Sequence, residues 1–427
     1  MHARVHDAAA SGGLLQHPLL CCGFRPFFLL TALAGLLLPP LWIALLYGLL
    51  PLPMLPGGPV AWHAHEMIFG FAYASVVGFL LTAVPEFTGA PAAPPRLTLQ
   101  LALLWLSARV AYLLSPLVGL WPALLLNGAL ALRLLAFVAG PLARASGRAH
   151  ASIGVVLALL ACAQAAFFVA TLTGADAMRW LHVALGLLMV LIVLAQSRIS
   201  MRVVNGAVER PDADAGYRPR PPRRNLAVAC IGLHTALSGW QPEHAAAPWL
   251  AAAAAAAMLN VLNDWHIGRA LFTRWALLLY AVYALMALGY ALLAAAGLGA
   301  ALTPSAGRHV LAAGAMSLAI LVVMCIAGRA HSGRPLDTRA WVPLTAAAGV
   351  AAAAAKAVAM HASAGAWSMS LHVAAALLFA AAFGTYLVFS ARALIGPRPD
   401  GKQGCDEPDP PQVPLRFMPR PARLKSP

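Results

Sequence analysis

Apolar runs long enough to cross a bilayer recur from one end of this 427-residue chain to the other, and they constrain its fold more than any other feature. A hydrocarbon core roughly 30 Å thick is spanned by about 20 apolar residues in a helix. Backbone groups inside lipid must satisfy one another, so runs of that length fold as helices. The runs lie near 27–50, 66–84, 97–118, 121–139, 150–173, 180–197, 225–240, 248–263, 275–297, 309–327, 341–360 and 371–394. They leave room for short loops and two tails but not for a large soluble domain. Composition agrees: 61% of residues are hydrophobic and 10% charged, where soluble domains carry about 25% charge. Those figures exclude a soluble enzyme, a disordered chain and a fibrous one. The expectation is an all-α polytopic integral membrane protein with about 12 transmembrane helices.

Charge gives an independent reading of topology, because cytoplasmic loops of membrane proteins carry excess Lys and Arg. In the twelve-span scheme one side receives the N-terminal tail, the loops after even-numbered spans and the C-terminal tail. That side holds 24 of the 29 Lys and Arg residues, counting Arg392 with the tail; the other side has only Arg179 and Arg308. Arg109, Arg133 and Lys356 fall inside spans. A span missed or added would scramble this skew, so both termini are expected in the cytoplasm. The formal charge of +15 is thereby explained by topology, and no nucleic-acid partner is implied. The N-terminal 20 residues lack the short apolar core and small-residue cleavage site of a removable signal peptide.

The basic, Pro-rich stretch 198–224 divides the chain into two six-helix halves, 27–197 and 225–395. A cytoplasmic segment, 1–26, precedes them, and a tail, 396–427, expected to be disordered, follows. The partner expected along most of the chain is the lipid bilayer. No cysteine pair has CxxC spacing. The six cysteines read as small buried hydrophobes and cytoplasmic thiols.

Histidine carries the chemical information. The scheme places few histidines at cytoplasmic span ends. His63, His65, His182, His234, His244, His309, His361 and His372 fall near the opposite interface. Neutral imidazole ligates haem iron, copper and zinc, and ligands from separate helices converge only if they share depth. Taken singly, each is equally well read as an interfacial residue with one wet end; the shared level favours a metal or haem site.

The densest motif is WHAHEMIFGFAYASVVGFLLTAVPEFTG, residues 62–89. His63 and His65 converge if the helix begins between them, and Glu66, three residues after His63, is placed to fix an imidazole tautomer. Gly70, Ala74 and Gly78 form a stripe that lets another helix approach. His309 and Met316, seven apart, share a helix face about 10 Å apart along the axis; Met316 is a candidate soft ligand or a packing residue. The candidate cofactor-binding set is therefore His63, His65, His309, His182 and Glu66, with His63, His65, His309 and Met316 as metal ligands. A second cluster, Arg329, His331 and Arg334, lies in the cytoplasmic AGRAHSGRPLD, where a topogenic loop is the simpler reading. P-loop, GxGxxG, HExxH and GxSxG signatures are absent. Two other readings remain open: a proton-coupled secondary transporter using Glu66, Arg109 and Lys356, and an assembly factor for a respiratory complex.

Several segments resemble landmarks of the NnrS family, in its order and across nearly the whole chain. They are GFRPFFLLTAL at 23–33, WHAHEMIFGF at 62–71, GFLLTAVPEFTG at 78–89, AGRAHSGRPL at 327–336 and RPDGKQG at 398–404. The resemblance implies a multi-pass protein of the bacterial inner membrane that binds haem and copper. It implies a role in tolerating nitric oxide and nitrosative stress, often in denitrifying organisms, with nitric oxide or a related small molecule as ligand and an electron-donor protein as a partner. Glu86-Phe87 stands where the family usually has Asn-Trp, and QSRISMRVVNG, 196–206, lacks the family's Gly-Gly and Pro.

Overall fold

A computed structural model describes residues 13–50, 55–144, 151–207, 217–361, 365, 367–402 and 404–405. The described residues are helical throughout, with no strand among them, as the apolar runs require. Twelve long helices follow one another: α1 Phe24–Leu46, α2 Gly58–Thr88, α3 Pro95–Leu113, α4 Trp121–Arg144, α5 Ala151–Thr173 and α6 Met178–Ala207. The remainder are α7 Pro221–Trp240, α8 Ala247–Leu262, α9 Arg274–Gly297, α10 Pro304–Ala330, α11 Trp341–Ala359 and α12 Ser368–Ile395.

Nine of these are long and apolar enough to cross a membrane: α1, α2, α4, α5, α6, α9, α10, α11 and α12. The chain is thus a multi-pass membrane protein. The helices α3, α7 and α8 form where spans were expected but fall short by length or apolarity. The 16 residues of α8 rise about 24 Å, less than a hydrocarbon core. Helices α3 and α7 begin with or contain Arg96, Arg109, Arg223 and Arg224.

Local sequence explains where the helices start and bend. Proline occupies the first turn of α2, α3, α7, α8 and α10, where its fixed φ suits the helix and its missing N–H is not needed. Gly89, at φ 65°, ends α2 in the left-handed conformation. Both α2 and α10 contain a one-turn widening with π-type spacing, Glu66–Ala72 and Val310–Met316. Such segments concentrate at functional sites because they re-aim side chains.

These same two helices are the most enclosed. Helix α2 packs against α1, α3, α4 and α6; α10 packs against α1, α6, α9, α11 and α12. The stripe on α2 works as expected at Gly78, where a Cβ would come within 2.8 Å of the Phe27 Cβ on α1. Helices α1 and α6 bridge the halves, α1 against α10 and α12, and α6 against α7, α9 and α10.

Three boundaries differ from those read in the sequence. Helix α1 starts at Phe24, and α6 runs on to Ala207, ten residues into the expected loop. The first part of the expected disordered tail is docked: Arg398 is buried, donating to the His331 carbonyl at 3.1 Å and pairing with Asp400 at 2.5 Å. The tail portion 406–427, the loop portion 208–216 and residues 1–12 lie outside the described residues.

Candidate functional site

A cavity of about 450 Å³ lies at one end of the bundle, the end holding the starts of α2, α6, α10 and α12 and the ends of α1 and α11. Four imidazoles line it, each from a different helix: His63, His182, His309 and His372. These residues belong to the group placed at one interface by the charge pattern. Four methionines, Met67, Met178, Met316 and Met360, also line it, and the Met360 sulfur accepts from the Ser305 hydroxyl at 3.2 Å. Lys356 and Arg308 complete the polar lining, and no Asp or Glu takes part.

The hydrogen bonds define what these rings offer. His309 Nδ1 donates to the Ser305 carbonyl one turn earlier at 2.8 Å, and His372 Nδ1 to the Ser368 carbonyl at 2.7 Å. Each bond holds the proton on Nδ1 and leaves the Nε2 lone pair uncommitted. His63 stacks on Trp42 with ring centres 4.4 Å apart, and its Nδ1 is buried without a hydrogen-bond partner. His182 sits on the wall shared with a second cavity of about 480 Å³, to which His234 and His244 contribute.

Among the described residues, no three His, Cys, Asp or Glu side chains come close enough to hold one bare ion between them. The imidazoles instead surround a volume within the range of small-molecule and cofactor sites. Rings spread around a large apolar space with uncommitted nitrogens suit a macrocycle ligated by one or two of them. The methionine sulfurs suit a soft Cu(I) ion. The lining present is thus compatible with haem, with methionines available to a soft metal.

His65 is not part of this cavity. Helix α2 begins at Gly58, before both histidines, so residues two apart face opposite ways. His65 is fully buried within ring-contact distance of Phe69, Tyr112, Phe167 and Phe168. Its Nδ1 donates to Glu66 Oε1 at 2.9 Å, while its Nε2 accepts from Gln164 at 3.4 Å. Glu66 Oε2 lies 3.4 Å from Arg109 Nε; Arg109 donates to Asn127, and Gln164 Nε2 donates to the same Asn127 oxygen at 2.9 Å. Five side chains from α2, α3, α4 and α5 thus close a polar ring. Glu66 orients His65, not His63, and its charge is matched by Arg109.

Sequence reasoning missed Asn127 and Gln164. Both stand alone within apolar helices, and only packing shows that they complete the ring. It placed His372 at the right depth without ranking it, and it gave no signal for Met67 or Met360. Arg133 is exposed on α4, outside both sites.

The cluster of Arg329, His331 and Arg334, at the end of the bundle opposite the cavity, is a structural closure. His331 Nδ1 donates to the Cys405 carbonyl at 2.8 Å, and Nε2 lies 3.7 Å from Glu86. Arg329 Nε donates to the Pro335 carbonyl at 2.8 Å, and Arg334 to that of Ser332 at 3.3 Å. Arg25 on α1 donates to the Gly396 carbonyl at 2.7 Å. Cys22 and Cys405 are joined as a disulfide, with Cα atoms 5.4 Å apart, which corrects the reading of both as free thiols. Spacing along the chain could not show this, because 383 residues separate them.

The sequence profile of the family described as NnrS protein matches residues 18–398. No curated protein matches the chain. The match takes in all twelve helices and the histidine-lined cavity, and the chain belongs to the NnrS family.

Proposed function

We propose that this protein binds haem and copper in the histidine-lined cavity, at the periplasmic side of a bacterial inner membrane, and serves the response to nitric oxide and nitrosative stress. One observation carries the reading: imidazoles from four separate helices face one apolar space, and two have their Nε2 lone pairs left free by backbone bonds at Nδ1. Family membership supports the nitric oxide role.

His309, His372, His63 and His182 are the residues that would ligate haem iron; Met316, Met67 and Met360 would hold copper beside it. Haem, when bound, supplies an iron that takes up nitric oxide or passes an electron. The protein's part is to set ring orientation and to exclude water. The backbone bonds at Ser305 and Ser368 fix two rings, Trp42 braces a third, and Pro39, Leu181 and Phe379 keep the wall apolar. If the iron passes electrons, an electron-donor protein is the partner that supplies them.

The transporter alternative needs Glu66, Arg109 and Lys356 on one route. Glu66 and Arg109 are paired inside the polar ring, whereas Lys356 lines the cavity on the other side of α2. That separation argues against it.

The test is optical and metal analysis of detergent-purified protein, before and after anaerobic nitric oxide. A Soret band that shifts with nitric oxide, together with bound copper, is the expected result. Protein from haem- and copper-replete cells that contains neither would end the proposal.

A further inference from the structure

The cavity holds an unbalanced charge. Lys356 is 8% exposed and lines it, yet makes no hydrogen bond or ion pair with any described residue; its Nζ lies over the face of the Trp42 ring, 5.9 Å from the centroid. Arg308 lies on the wall shared with the second cavity and likewise has no carboxylate partner among the described residues. A guanidinium stays charged in any protein environment. The other polar side chains of this lining are the imidazoles, the Trp42 indole and the Ser305 hydroxyl, with no acid among them; Asp176 and Glu243 line the second cavity, beyond Arg308.

Glu66 is paired with Arg109, Asp264 with Arg223, Asp337 with Arg339 and Asp400 with Arg398. Buried charge is costly unless matched; even Arg25, buried without a carboxylate, donates to the Leu394 and Gly396 carbonyls, whereas Lys356 has no such acceptor among the described residues. An intramembrane cation left unmatched in a cavity marks a ligand site.

We infer that Lys356 and Arg308 form an anion subsite at the polar edge of the cavity, built to receive a carboxylate or comparable oxyanion carried by the ligand. The inference rests on the cofactor reading for its first candidate, the propionate groups of haem. A free small oxyanion is the second source of the same chemistry. In either case the apolar wall takes the body of the ligand, Lys356 takes the anionic group inside the membrane, and Arg308 takes it where the two cavities meet. Lys356 here is a positioning residue.

The experiment titrates purified full-length apoprotein with haemin and with haemin dimethyl ester, in which both carboxylates are blocked. Wild-type protein should bind haemin at least about tenfold tighter than the diester, since a hydrogen bond to a charged group is worth that factor or more. Lys356→Met should weaken haemin several-fold toward the affinity of the diester, Arg308 keeping the remainder of the preference, and leave the diester unchanged. Lys356→Arg, which restores the charge, should keep the preference and guards against a folding defect. Equal affinity for both porphyrins in wild-type protein, or equal weakening of both in Lys356→Met, would overturn the propionate source while leaving haem binding intact. If neither porphyrin binds, the cofactor reading fails separately, and sodium nitrite decides the subsite. A nitrite-dependent rise in thermal midpoint that Lys356→Met lacks would assign the site to a free oxyanion; no rise would overturn it.

Discussion

At the residue scale, histidines two positions apart have acquired opposite tasks because a helix turns about 200° between them. His63 faces the cavity with an uncommitted nitrogen; His65 has both nitrogens engaged and aromatic rings packed around it. Substitutions should therefore separate them. Glu66→Gln removes the partner of a buried Arg109, and breaking such a pair costs about 3 kcal/mol or more. The variant should unfold at markedly lower temperature while the cavity residues keep their positions; an unchanged melting profile would contradict the polar ring. His309→Ala, by contrast, should leave the melting profile nearly as it was and alter only what the cavity binds, as read by absorbance. The sequence disclosed that imidazoles gather at one level because topology is written in charge. It could not disclose which of them face one another, because that depends on helix rotation and on where α2 begins.

At the element scale, the enclosed helices α2 and α10 carry the same device: a proline start, a histidine, a π-type turn and an α-helical remainder. The hydrophobic runs gave no hint of the widened turns, since spacing of apolar residues is nearly uniform in helices buried on all sides. The glycine stripe was legible, because small residues four apart have a steric meaning in any helix pair. Gly78→Val should push α1 away from α2, an overpacking cost of about 1–3 kcal/mol. Thermal unfolding in detergent would check this, and stability equal to wild type would show that α1 does not rest on that surface. The apolar runs located all twelve helices, nine of them long and apolar enough by themselves to cross a membrane; α3, α7 and α8 carry arginines or are shorter.

At the scale of the whole molecule, one end holds the histidine-lined cavity and the other end is tied shut. The tie joins the start of α1, the α10–α11 loop and the segment after α12 through Arg25, His331, Arg398 and the Cys22–Cys405 disulfide. Its acids are held charged: Arg339 keeps the Asp337 carboxyl far below the usual carboxylate range, and Arg398 draws that of Asp400 down to about 2. Lowered values mean stability that is complete above the ordinary carboxylate pKa near 4 and is lost as pH falls through the lowered one. Hydrogen exchange of residues 396–402 should accordingly be flat from pH 8 to about pH 5, after correction for intrinsic rates, and rise only in stronger acid. A loosening near neutral pH would show that other groups govern the tie. Sequence placed these segments on one side through their arginines; the pairing of Cys22 with Cys405, across nearly the full chain, was beyond it.

The two ends meet in a single claim, that imidazoles from α2, α6, α10 and α12 enclose the cofactor while the far end holds the helices in register. The most direct measurement is the haem absorbance of purified wild-type protein beside His63→Ala, His309→Ala and His372→Ala, with His65→Ala as the control outside the cavity. The expected result is a Soret band in wild type, lost or shifted in cavity variants and kept by the folded fraction of His65→Ala. A band unaltered in all three cavity variants, or removed only by His65→Ala, would contradict the claim.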